Sequence, residues 1–266
     1  KKLLGNVGSK TLDCITPQHI IEYRDKLLKQ EKRSATINMD LKIIRSALEK
    51  ARNVGYINRN PAYAVDLMPR GLDATHRVPF TPEQLSALLK TTEGTDWYGA
   101  ILVGYYTALR LGDVADLEWG SIDLQARTIM VTPSKTKKLN RTVTIPISDQ
   151  LYDWLKAQPM PINGKMPVFP TLYGRKRHLS YRFAILMERS GIKREMLKSS
   201  KGARATSPLS FHSLRHTATS AMANMGVPPE VRMKLTGHST LKVHECYTHL
   251  ETETIRQAVV KMPKIG

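Results

Sequence analysis

Apolar positions recur at helical spacing through most of the chain. After Thr16-Pro17 they fall at Ile20, Ile21, Leu27 and Leu28, with Thr16 placed as N-cap and Pro17 as first helical residue, where its missing N–H costs nothing. A second helix opens at Ser34 or Thr36 and shows one face through Ile37, Leu41, Ile44, Leu48 and Ala51. It ends near Asn53-Val54-Gly55, and Asn60-Pro61 breaks the chain again. Residues 70–80 lack periodicity, and Thr81-Pro82-Glu83-Gln84 then brings a fresh N-cap, proline and acidic first turn. A further helix covers about Trp97 to Leu109. The period changes at residues 127–133 and 141–147, two β-rich runs flanking the cationic hairpin turn Ser134-Lys135-Thr136-Lys137-Lys138-Leu139-Asn140. Residues 148–158 and 179–191 read as helices, and Lys193 to Ser207 as a polar, basic loop. A helix from His212 to Met225 is stopped by Gly226, and the next runs from Val227-Pro228-Pro229-Glu230 to Thr236-Gly237. The apolar stripe Met222, Met225, Val231, Met233 and Leu235 reads as core.

This pattern predicts a mainly α fold with a small antiparallel β-sheet (α+β) in two domains. Residues 1–72 form an all-helical domain, 73–80 a linker, and 81–266 a second, mixed domain. The 41% hydrophobic and 24% charged content is ordinary for a globular protein. The charge is not: net +18 with a pI near 9.9 favours a polyanionic partner, nucleic acid foremost. Residues 1–72 hold 14 basic and 7 acidic side chains, so the excess is spread along the chain and both domains are equipped to touch phosphate. Cys14 and Cys246 are the only cysteines, which excludes a disulfide framework and a cysteine-based zinc site. With no apolar run near the roughly 20 residues that span a bilayer and no signal peptide, the expected location is cytoplasmic, with no membrane partner. The chain starts at Lys1-Lys2 without Met, which leaves an upstream segment open.

Candidate chemistry gathers around Tyr247, nine positions after His238. Upstream lie His212-Ser213-Leu214-Arg215-His216 and Thr107-Ala108-Leu109-Arg110. Two arginines, two histidines and a hydroxyl suit attack on a phosphodiester, whose transition state spreads negative charge over non-bridging oxygens. Arginine's planar fork holds two such oxygens and does not deprotonate. His212 and Arg215, three apart, share a face near a helix N-terminus, where backbone N–H groups attract an anion. Gly237 frees the backbone for His238 to project from a turn. Bland readings stand beside these. Arg110 alone reads as an ion-pair partner, Lys135, Lys137 and Lys138 as a solvated turn, and Tyr98, Tyr105, Tyr106 and Tyr152 as packed or surface residues. His212, His216, His238, His244 and His249 lack an HExxH helix or a carboxylate complement, so neither a metal nor another cofactor is expected.

Ala108-Leu109-Arg110-Leu111-Gly112-Asp113, His212-Ser213-Leu214-Arg215-His216-Thr217, Leu235-Thr236-Gly237-His238-Ser239 and Tyr247-Thr248-His249 fall in one order and spacing. In these motifs the chain resembles the tyrosine recombinases, the phage-integrase-type site-specific DNA recombinases, in detail over about residues 80 to 250. The helical N-terminal unit resembles their core-binding domain. Thr236 departs from the apolar residue usual before Gly-His, a change expected to affect packing. The resemblance implies a clamp around duplex DNA in which Tyr247 attacks the scissile phosphate and leaves a 3′-phosphotyrosine bond. His212 would act as general base, while Arg110, Arg215 and His238 hold the phosphate. Lys135, with Lys137 as runner-up, would protonate the leaving 5′-oxygen, and Asp113 would orient an active-site partner. It further implies four protomers on two double-stranded recombination sites, with the segment from Thr254 to Val260 in protomer contacts, while the need for accessory DNA-bending proteins stays open. The rivals are a type IB topoisomerase-like relaxase, a non-catalytic DNA-binding regulator with the same fold and, more distantly, a metal-dependent hydrolase. The target sequence, the host element and the choice among integration, excision and dimer resolution stay open.

Overall fold

In the computed structural model the described residues are 8, 11–69, 77–134, 142–159, 161–193, 207–237, 241–245, 247–248, 252, 254 and 256. They fall into two compact units divided between His76 and Arg77.

The first unit is built on two helices, α1 (Pro17–Lys29) and α2 (Ser34–Asn53). Thr16 caps α1 in a capping box whose return arm is the His19 ring, with Thr16 N–H donating to Nδ1 at 3.1 Å. The buried face of α2 is Ile37, Leu41, Ile44, Leu48 and Ala51, the face its spacing predicts. It packs with Ile20, Tyr23 and Leu27 of α1 and with Ile57, Ala62 and Val65. Tyr23 is held by its hydroxyl, which donates to Asp40 Oδ2 at 2.9 Å. Asn60 earns its place before Pro61 by bonding in both directions: its amide donates to Arg45 O at 2.9 Å and its oxygen accepts from Ala62 N–H at 3.0 Å. The chain therefore turns back across α2 with its polar backbone satisfied.

The second unit begins with α3 (Pro82–Thr92), entered through a Thr81–Gln84 capping box, and α4 (Asp96–Thr107). Helix α4 is buried nearly all round, including Gly99, Ala100, Ile101, Leu102, Val103 and Gly104. It ends at Ala108, which takes a left-handed conformation (φ 52°) usually left to glycine. Short α5 (Leu111–Ala115) follows, then a three-stranded antiparallel sheet of β1 (Ile122–Asp123), β2 (Thr128–Val131) and β3 (Val143–Pro146), in that order. The register pairs Ile129 with Ile145, both fully buried, and Met130 with Thr144, both facing outward. Helices α6 (Asp149–Lys156), α7 (Lys176–Arg189), α8 (His212–Asn224), α9 (Pro229–Thr236) and α10 (Leu241–Glu245) follow. A mainly helical chain with a small antiparallel sheet is thus the observed fold.

Three elements escaped the sequence pattern: α5, β1 and α10, each five residues or fewer, too short to display a period. One expectation is corrected. Of the apolar stripe read as core, Met225 is 72% and Val231 53% exposed, and Met222, Met233 and Leu235 are only partly buried. The buried side of α9 is instead Arg232 and Thr236, four apart, and that of α8 is mostly small and polar. The loop predicted from Lys193 to Ser207 and the cationic hairpin tip lie almost wholly outside the described residues.

Candidate active site

Helix α8 crosses the second unit against α4, and close packing fixes where its N-terminus lies. A Cβ on Gly104 would stand 2.6 Å from Phe211 Cζ and 3.0 Å from Leu214 Cδ1, so α8 approaches as near as it does because residue 104 has no side chain. Phe211 in turn packs edge-on against Phe183 (centroids 5.2 Å apart). His212 and Arg215 start from this anchored turn. Two threonine hydroxyls of α8 return to the helix backbone, Thr217 to Ser213 O and Thr219 to Arg215 O, both at 2.7 Å, so these buried hydroxyls are satisfied within the helix. Thr217 Oγ1 also accepts from Phe80 N–H at 2.8 Å, tying the segment before α3 to α8.

Arg215, only 2% exposed, donates to Ala108 O at 2.7 Å and to Thr236 O. One guanidinium thereby joins three motifs distant in sequence. The left-handed turn at Ala108 is what aims the first carbonyl, and it delivers Arg110 immediately before α5. Burial and, after it, the Arg110 charge lower the Arg215 pKa to about 10, with Tyr247 and Asp113 opposing the shift. A buried cation beside a second, partly exposed one favours an anion between them.

Tyr247 follows α10, its N–H donating to His244 O at 2.9 Å. Its hydroxyl lies 2.9 Å from His212 Nε2. The Tyr247 ring lies over that of His216, with centroids 4.4 Å apart and planes at 33°, and the Arg215 guanidinium carbon is 5.3 Å from its centroid. Asp113 is buried beside this group and accepts from Ser134 N–H at 2.9 Å, holding the residue that precedes Lys135.

Of the residues singled out from sequence, Arg110, Asp113, His212, Arg215 and Tyr247 come together in the second unit. Lys135 and its runner-up Lys137, and His238, lie outside the described residues, as does His249. The sequence reading missed Arg232, which is buried and donates to Val227 O at 3.0 Å and to Thr248 Oγ1 at 2.8 Å. His244, weighed from sequence only as a metal ligand, is buried, and its pKa is lowered by burial and by the charges of Arg232 and Arg215. A charged residue at the i−4 position from Thr236, on the face of α9 that turns inward, was the available signal.

A family model described as the phage integrase family matches residues 79–254. The chain belongs to the phage integrase family. Its relatives include a tyrosine recombinase XerC-like protein of Caldanaerobacter subterraneus, 25% identical over 281 residues, spanning 90% of this chain and 68% of that protein. A tyrosine recombinase XerC of the same organism is 26% identical, spanning 80% of this chain and 58% of that protein. Among solved structures, the Tn1549 transposon integrase in complex with a circular intermediate DNA shares the fold at a TM-score of 0.66 and 21% identity, covering 94% of this chain and 86% of that one. Among the described residues no helix is long and apolar enough to cross a membrane.

Proposed function

We propose that this chain is a site-specific DNA recombinase of the tyrosine type, cleaving and rejoining DNA through a 3′-phosphotyrosine intermediate. The observation that carries the reading is the 2.9 Å approach of the Tyr247 hydroxyl to His212 Nε2, beside a buried arginine. A tyrosine hydroxyl titrates near pH 10, so the nucleophile needs a base within hydrogen-bond reach, and an imidazole exchanges protons near neutrality. His212 takes the Tyr247 proton as the phenolic oxygen bonds to phosphorus. The bond from phosphorus to the 5′-oxygen breaks, and that oxygen takes a proton from Lys135, with Lys137 as the alternative donor. Arg110 and Arg215 bind the non-bridging oxygens, and His238 adds a hydrogen bond to them. Asp113, through Ser134, sets the root of the lysine-bearing hairpin. The high-energy bond is conserved in the covalent intermediate, so the reverse reaction with a new 5′-hydroxyl joins the strands without ATP. The arginines supply the charge stabilisation that a metal supplies elsewhere.

The reading extends to the whole chain. Residues 1–72 act as the core-binding domain and 81–266 as the catalytic domain, linked by 73–80. Net charge +18 supports a clamp drawing most of its affinity from phosphates, with log K falling with log salt at a slope of about −0.9 per phosphate neutralised. Recombination of two sites calls for four protomers, with the segment from Thr254 to Val260 in contacts between them and DNA-bending proteins as accessory partners. A DNA substrate sets the work in the cytoplasm, at the nucleoid.

The test is a suicide substrate nicked beside the cleavage site, which traps the covalent intermediate. The wild-type chain forms a covalent adduct, and Tyr247→Phe binds the same DNA and forms none. An adduct retained by Tyr247→Phe identifies another nucleophile. Recombinant junctions between two sites, as opposed to relaxation of one plasmid, separate a recombinase from a relaxase.

A further inference from the structure

Arg232 takes no part in the chemistry just set out, yet it is a cation only 7% exposed, and its hydrogen bonds run to neutral oxygens. Burial lowers its pKa, with the charge of Glu230 opposing. A side chain held there against its solvation cost serves poorly as packing, because an apolar residue of similar volume is as stable or more so. What an apolar residue lacks is the pair of directed bonds. Nε donates to Val227 O, in the turn between α8 and α9, and Nη1 donates to Thr248 Oγ1. Val227 is itself fixed to α8 through its N–H, which donates to Met222 O at 2.9 Å. A closed circuit results: α8, the Val227 turn, Arg232, Thr248, Tyr247, and back to α8 at His212. Opposite ends of α8 thus grip the two-residue stretch Tyr247-Thr248, one through the reacting hydroxyl and one through its neighbour.

We infer that Arg232 is a positioning residue for the nucleophile, clamping Thr248 so that the Tyr247 hydroxyl is held at His212 of its own chain. The inference rests on Tyr247 as the attacking residue. The planar guanidinium spans both acceptors at once, which a lysine ammonium does not. Freeing the clamp removes the side-chain anchor next to Tyr247, whose own contacts include His212 Nε2, Ser220 Oγ and the His216 ring, and a misplacement of about 1 Å at a reacting atom slows a reaction by about 100-fold.

The full chain is compared with Arg232→Met, Arg232→Lys, Thr248→Val and the Met/Val double variant. Four quantities are read: adduct formation on the suicide substrate, affinity for the same DNA, the thermal midpoint, and amide hydrogen exchange across residues 241–248. Arg232→Met and Thr248→Val each slow adduct formation by about 100-fold, and the double variant is no slower than either single one. Arg232→Lys restores part of the rate. DNA affinity and thermal midpoint stay at wild-type values while exchange quickens, a combination that a merely structural arginine does not produce. A substrate with sulfur at the 5′-bridging position, which leaves without a proton, fails to rescue Arg232→Met because the defect lies on the nucleophile's side. Wild-type adduct rates in both single variants, or unchanged exchange, overturn the inference. A wild-type chain that forms no adduct, with exchange still quickened in the variants, removes Tyr247 as nucleophile and leaves the clamp standing.

Discussion

In α2 the side chains withdrawn from water are Ile37, Leu41, Ile44, Leu48 and Ala51. In α8 they are Ser213, Leu214, Arg215, His216, Thr217, Ala218, Thr219, Ser220 and Ala223. Both are long helices, but α2 is buried along one apolar face, whereas α8 is buried all round from Ser213 to Ser220, with polar side chains beside Leu214 and Ala218. Helix α2 gains stability from area removed from water, roughly 25 cal/mol per Å². Helix α8 instead sits where neighbouring elements confine it, against the bare backbone of Gly104, and fills its buried face with hydrogen-bonding groups. The first helix is built for the fold and the second for what happens at its N-terminus. Substitutions in the two should therefore separate stability from chemistry.

The largest separation is expected at Arg215→Met. Removing one preorganised cation from a phosphoryl site slows adduct formation by about a thousandfold. Stability moves little, because two opposed effects meet. The carbonyls of Ala108 and Thr236 lose a donor, at about 1–3 kcal/mol each, while the desolvation of a buried cation is relieved. Suicide-substrate kinetics and urea unfolding of the same variant check both halves. Leu41→Ala is the mirror image: it opens a cavity in the α1–α2 core, costs about 2–5 kcal/mol, and leaves adduct formation per folded molecule near wild type. If Arg215→Met unfolds the chain more readily than Leu41→Ala does, the contrast between the helices fails.

Gly104→Ala joins the two kinds of effect. Alanine is the better helix former by about 1 kcal/mol, but its methyl must displace the Phe211 ring, which is locked against Phe183. Overpacking of this kind costs about 1–3 kcal/mol. A net loss of about 1 kcal/mol is expected, with slower cleavage because Phe211 and Leu214 flank His212. Equal thermal midpoints and equal rates for variant and wild type would show that α8 is not confined by this contact.

The same contrast explains what could be read before the fold was known. The α2 core face was legible residue by residue, because apolar spacing and burial report the same physics there. Around α8 they diverge. Met225 and Val231 look like core and lie in solvent, whereas Arg232 and Thr236 look like surface and are buried. Motif spacing still pointed to Arg110, His212, Arg215 and Tyr247, which the fold brings together, since the proposed chemistry asks for those residue types whatever the packing. The links among them were not legible. No local pattern announces that Ala108 turns left-handed to present its carbonyl to Arg215, or that Arg232 reaches Thr248 sixteen residues away.

The smallest effects are in pH, and they place the two units at opposite ends of the scale. His244 is 1% exposed, and burial together with the Arg232 and Arg215 charges lowers its pKa below the ordinary 6.5, with Glu245 opposing. The unfolded chain therefore binds a proton as pH falls through about 6.5 while the folded chain does not. Stability of the second unit falls with pH from there down to the folded pKa, and His244→Gln removes that slope. In the first unit Tyr23 is pushed up to about 12 by burial and by the Asp40 carboxylate. Its contribution is complete below the unfolded value near 10 and is lost as pH rises through the folded one, a slope that Tyr23→Phe removes. Urea midpoints followed between pH 5 and 7 and above pH 9 test each unit separately. A His244→Gln variant that keeps the wild-type acid slope would show that the proton enters elsewhere, and the polar packing around α8 would then be less tightly closed than the Arg215 and Arg232 bonds require.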